Sequence, residues 1–122
     1  MEPKPFPLEP FTAGDTWQGL PTQDGVPFFS LQIDGGAPAS LLAKVVMRFT
    51  PQDQTKKATV VEISSDSDAI EIITPAAWTF SIPAQAIPEL IAGTWDWQIK
   101  TIDAAACKET WLADSIVILR NI

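Results

Sequence analysis

The stretch Ala92–Ile102, AGTWDWQIKTI, decides the fold. Gly93 opens it as a turn residue, and the residues after it alternate. Trp95, Trp97, Ile99 and Thr101 fall on one side, and Thr94, Asp96, Gln98 and Lys100 on the other. Successive side chains of a strand point to opposite faces, so the pattern predicts a half-buried strand with two indoles turned inward. Each Trp can bury on the order of 200 Å², worth several kcal/mol at about 25 cal/mol per Å². A strand carrying two of them is a main contributor to a small core.

Working outward, the same alternation returns. FFSLQI, residues 28–33, puts Phe29, Leu31 and Ile33 on one face before the turn signal Asp34-Gly35-Gly36. LLAKVVMRFT, 41–50, puts Val45, Met47 and Phe49 opposite Lys44, Val46 and Arg48. ATVVEIS, 58–64, pairs Val61 with Ile63, and WTFSI, 78–82, lines up Trp78, Phe80 and Ile82. IEIIT, 70–74, reads as a further short strand, and FTAGDTWQG, 11–19, as a first strand entered through a Gly-Asp turn. The last strand runs from Thr110 to about Leu119. Its register is open, since Trp111 and Leu112 are both apolar, as are Ile116, Val117 and Ile118, and a bulge is one way to accommodate them. PAQAIPELI, 83–91, lacks alternation and carries Pro88, so a short helical turn is expected near 84–91. The sum is an all-β chain: an immunoglobulin-like antiparallel β-sandwich of about seven to eight strands. Residues 11–122 form a single sandwich domain. Residues 1–10, MEPKPFPLEP, carry four prolines and read as an extended arm.

Composition narrows the function classes. The chain has 122 residues, 46% of them apolar, and a net charge of −7. That acidity disfavours non-specific binding to nucleic acid or to an anionic membrane, both of which need a basic surface. The first ten residues do not read as a signal peptide, and no apolar run approaches the roughly 20 residues of a membrane helix. Cys107 is the one cysteine, so the fold holds without an intrachain disulfide, as expected of a protein made in a reducing cytoplasm. Histidine is absent, which removes the commonest general base and zinc ligand.

The remaining constellations read as structure rather than chemistry. Asp66-Ser67-Asp68 with Glu71 has alternating oxygens but lacks the glycine and distal glutamate of a calcium loop, so it reads as an acidic turn. Asp96 and Asp103 fall on opposite faces of an unbroken strand, unlike a glycosidase pair. Ser64, Ser65, Ser67 and Ser81 have no histidine to activate them, and Cys107 reads as a passive thiol. No catalytic residue, metal or cofactor is expected, and the chain is not expected to be an enzyme. Trp78, Trp95 and Trp97 belong to the core, whereas Trp17 and Trp111 lie near strand ends. Exposed there, they would either anchor a protein interface or stack on sugar rings.

Several landmarks stand in a distinctive order. Gly14, Asp15 and Trp17 come first, then Val45 and Met47. Ile82-Pro83-Ala84 comes next, then Leu90, Ala92 and Gly93 before Trp95 and Trp97. Over about residues 12–119 this order resembles small β-sandwich proteins of tailed-phage and prophage structural gene clusters, similar to the N-terminal domain of baseplate upper proteins. Residues 1–10 have no counterpart in that pattern, and Asp114 stands where it has a small residue. The resemblance implies a non-enzymatic structural or assembly module of a tail or baseplate. It would be made in the bacterial host cytoplasm and carried in the virion. Its partners would be other phage structural proteins and further copies of itself, with no nucleic acid and no membrane. Phe6, Leu8, Phe11 and Trp17 are the expected protein-interface residues. The alternative is a carbohydrate-binding sandwich that recognises a host-surface glycan through exposed tryptophans.

Overall fold

The computed structural model of the chain describes residues 5–19, 29–31, 36, 38–52 and 59–120. Ile33, the loop 20–27, the Asp34-Gly35 turn and most of the polar loop 51–57 lie outside the described residues. Among the described residues ten strands run in order: β1 (Phe11–Thr12), β2 (Thr16–Trp17), β3 (Phe29–Ser30), β4 (Leu42–Pro51), β5 (Val61–Ser64), β6 (Glu71–Thr74), β7 (Thr79–Ser81), β8 (Gln85–Ala86), β9 (Gly93–Asp103) and β10 (Lys108–Leu119). One turn of 3-10 helix, Pro75–Ala77, separates β6 from β7. The chain is thus all-β and sandwich-like.

The larger sheet has five strands in the order β1-β10-β9-β4-β5, with β9 at its centre. Opposite it lie a three-stranded sheet, β3-β7-β6, and a two-stranded one, β2-β8. Pairing is antiparallel except between β1 and β10, which run parallel with Phe11 beside Ile118. The strand count exceeds the expected seven to eight because β1, β2, β3 and β8 are two residues each. The segment 11–19 in particular is two strands in two sheets. Gly14, at φ 89°, turns the chain between them.

Alternation places the core. Val45, Met47 and Phe49 of β4, and Trp95, Trp97 and Ile99 of β9, are buried on the inner face of the long sheet. Phe29, Leu31, Trp78, Phe80 and Ile82 are buried across from them, and Val61 is buried at the β5 edge. Ile63, also on β5, is half-buried against the same cluster. Leu42, Ile70, Ile87, Leu90, Trp111, Leu112, Ile116 and Ile118 complete it. The ladder between β9 and β10 slips one residue between Thr110 and Leu112, which lets Trp111 and Leu112 both be buried. A second slip between Leu42 and Lys44 does the same for Leu42 and Val45 on β4.

The helical turn expected near 84–91 is smaller than the sequence suggested. Gln85 and Ala86 pair with Thr16 and Trp17 as β8, and only one hydrogen-bonded turn comes after it, from Leu90 N–H to the Ile87 carbonyl at 3.1 Å. Pro88 inside that turn has no N–H to extend a helix.

Candidate functional site

The tryptophans come first, because the sequence leaves their exposure open. All five are buried: Trp17 and Trp78 at 3% exposure, Trp95 at 1%, Trp97 at 0% and Trp111 at 7%. Trp17 stands edge-on to Phe49, centroids 6.1 Å apart at 90°, and Trp111 packs on Trp78 at 5.6 Å. The interface role expected of Trp17 is therefore corrected: its indole is spent joining β2 to the long sheet. The flat exposed indole platform that a sugar-binding sandwich uses is not formed by any of the five.

The proline-rich arm also folds back on its own domain. Phe6, Leu8 and Phe11 are half-buried and pack against the core cluster. Phe6 meets Phe29 edge-on at 5.5 Å and Trp97 at 6.4 Å, so it bridges β3 and β9 at one side of the sandwich. These three side chains close the domain they belong to. Beyond the short β1 pairing, the outer edge of β10 has no strand partner among the described residues. Asp114 lies on that strand in register with Trp97, on the inner face, and an inward charge on an edge discourages strand addition.

The acidic loop is stitched by its own serines. The Ser64 hydroxyl accepts the Asp66 N–H at 3.3 Å, the Ser67 hydroxyl donates to the Ser64 carbonyl at 3.2 Å, and Val45 N–H donates to the Ser65 hydroxyl at 3.1 Å. Asp66 is held by Lys44 at 2.6 Å. Among the described residues no group of three His, Cys, Asp or Glu side chains is arranged to hold a metal ion. Asp96 and Asp103 have separate tasks. Asp96 accepts the Gln52 side-chain amide at 2.7 Å, and Asp103 shapes the β9–β10 hairpin by accepting the N–H groups of Ala105 and Cys107, each at 2.9 Å. Cys107 is exposed in that hairpin.

What remains is the outer face of the five-stranded sheet. It is built by β4, β9 and β10, of 10, 11 and 12 residues, with β5 at the side. The register orders its side chains in rows across the strands. The middle row is Glu62, Arg48, Gln98 and Ala113. On one side lie Thr50, Asp96 and Ser115, then Thr94 and Val117. On the other lie Ser64, Val46, Lys100 and Thr110, then Lys44, Ile102 and Lys108. Four of the eight cationic residues of a −7 chain, Lys44, Arg48, Lys100 and Lys108, thus share one face. Arg48 is paired with Glu62 at 3.2 Å and Lys44 with Asp66, whereas Lys100 and Lys108 have no ion-pair partner among the described residues. This face escapes a search for chemistry among carboxylates and tryptophans. Its signal in the sequence is the polar half of each alternating strand.

No family model, no curated protein and no solved structure matches the chain.

Proposed function

We propose that this chain is a non-enzymatic structural module of a phage or prophage particle, associated with a tail or baseplate, that works through protein–protein contacts. The observation that carries the reading is the outer face of the long sheet. It is wide, held rigid by three long paired strands, and lined by a mixture of small, neutral and charged side chains. A rigid face of that kind serves geometry rather than catalysis: it fixes the angle at which a neighbour sits. The ordered landmarks from Gly14 to Trp97 support the particle assignment, and they stand at turns and core positions of a sandwich.

The test is composition of the particle. Virions induced from the host that carries the gene are purified on a density gradient and analysed by quantitative mass spectrometry. The expected result is the chain in the particle fraction in fixed proportion to the tail proteins. Recovery only in the soluble lysate, with intact particles lacking it, overturns the reading.

A further inference from the structure

The outer face is charged in a pattern that complements itself. On the central strand β9, Asp96, Gln98 and Lys100 point outward in succession, one acid and one base placed evenly about a neutral amide. Turn a second copy over so that its strands run opposite and its middle row lies on the first copy's middle row. Asp96 then lies over Lys100 of the other copy, and Lys100 over Asp96, so one contact occurs twice, as a two-fold interface requires. The flanking rows also match: Thr94 meets Ile102, Thr50 meets Val46, Ser115 meets Thr110, and Val117 meets the aliphatic stem of Lys108. The axis runs along the middle row, so Arg48 lies over Arg48 of the other copy and Glu62 over Glu62, each offset by its own 3.2 Å partner beside it. Stacking with strands parallel about β9 instead sets Asp96 on Asp96, Lys100 on Lys100 and Lys44 on Lys108 with no opposite charges in register, so of these two arrangements charge favours the first.

The geometry tolerates sheet twist. Packed sheets cross at about 30°, and Asp96 and Lys100 lie only about 7 Å from Gln98 along the strand, so the crossing displaces them by roughly 3.5 Å. A lysine stem spans that. Both groups have capacity to spare. Asp96 uses one oxygen for Gln52, and Lys100 has no ion-pair partner among the described residues.

We propose that the outer face of the five-stranded sheet is a homotypic docking surface, on which a second copy of this chain stacks with strands antiparallel and Asp96 of each copy pairs with Lys100 of the other. The proposal rests on the assembly reading above and names its first partner. Five rows across four strands cover roughly 500 Å² per copy in projection, at the low end for a specific interface, so the dimer is weak and salt-sensitive.

The experiment is sedimentation equilibrium of the full chain and three variants, with circular dichroism to confirm folding. Asp96→Lys and Lys100→Asp each place like charges over one another twice, and each raises the dimer dissociation constant by roughly ten-fold or more. An equimolar mixture of the two single variants restores the dimer as a heterodimer, and the double variant Asp96→Lys/Lys100→Asp restores it alone. Oligomers that neither reversal weakens overturn this face while leaving the assembly reading intact. A wild-type chain that stays monomeric at high concentration and low salt overturns homotypic docking. Weakening by both single variants without rescue in the mixture points to an acidic or basic partner of another kind and also overturns the proposal. Absence from purified particles, the test given above, speaks to the assembly reading alone.

Discussion

Gly19 sits at φ 84° against the chain between β7 and β8. A Cβ added there would lie 2.3 Å from the Ile82 carbonyl oxygen and 2.7 Å from the Pro83 carbonyl carbon. Backbone cannot yield as a side chain can, so Gly19→Ala is expected to cost about 2 kcal/mol or more, read as a lower urea midpoint. Ala106 carries the opposite lesson. It is exposed in the β9–β10 hairpin at φ 65°, a conformation that glycine adopts without strain. Ala106→Gly is expected to stabilise the fold by about 0.5–1 kcal/mol in the same assay, although glycine adds freedom to the unfolded chain. The buried indoles separate in a similar way. Trp111 donates its ring N–H to the hydroxyl of Thr101 at 2.8 Å, in a site where Thr101 is 1% exposed. Trp97 is 0% exposed, and its ring N–H has no hydrogen-bond partner among the described residues. Trp111→Phe therefore leaves a buried hydroxyl without its donor, an added cost of about 1–3 kcal/mol, whereas Trp97→Phe removes an unpaired donor along with packing. Urea denaturation should show Trp111→Phe as the more damaging change of the two.

Among the elements, the N-terminal arm departs furthest from its sequence reading. Prolines at positions 5, 7 and 10 keep it out of a continuous ladder, and that much is visible in the residues themselves. The destination of its apolar side chains is not, because an extended arm reaches a neighbour as readily as its own domain. The structure shows Phe6 wedged between Phe29 and Trp97. Phe6→Ala is accordingly expected to lower the unfolding free energy by about 1–2 kcal/mol at any protein concentration, since most of its area already lies against its own core. An effect confined to high concentration, where oligomers form, would instead assign Phe6 to a neighbour. The long strands were legible for the opposite reason. Period-two alternation is unbroken over 44–51 in β4 and 94–102 in β9, whereas the apolar runs Trp111-Leu112 and Ile116-Val117-Ile118 left the register of β10 open, with a bulge as one way to settle it. The two-residue strands β1, β2, β3 and β8 were not legible as separate elements, because two residues carry no period and their pairing is set by partners far along the chain. The 83–91 segment failed for a related cause: its residues bind β2 and the core through tertiary contacts that no local pattern records.

At the scale of the molecule, the sandwich was readable and the working surface was not. A core announces itself by periodic burial, while an exposed face is defined by which strands become neighbours. The row that sets Arg48 beside Gln98 and Ala113 joins residues up to 65 positions apart in sequence. The same long-range pairing governs how the molecule comes apart. The long sheet ties β1 near the N-terminus to β10 near the C-terminus, with the central strand β9 between β10 and β4. Every tryptophan joins one buried cluster fed by all three sheets. No strand of the long sheet can leave without exposing an indole or stripping a neighbour of its ladder. Loss of tertiary packing and loss of strand should therefore be one event, as in a two-state domain. In a urea titration at low protein concentration, the red shift of tryptophan emission and the loss of the far-ultraviolet strand signal should share one midpoint and one slope. Native emission should be blue-shifted and resist iodide quenching, as five buried indoles demand. A fluorescence transition that precedes the loss of strand signal would mean that part of the aromatic cluster, with the arm and Phe6 the first place to look, opens as a separate unit.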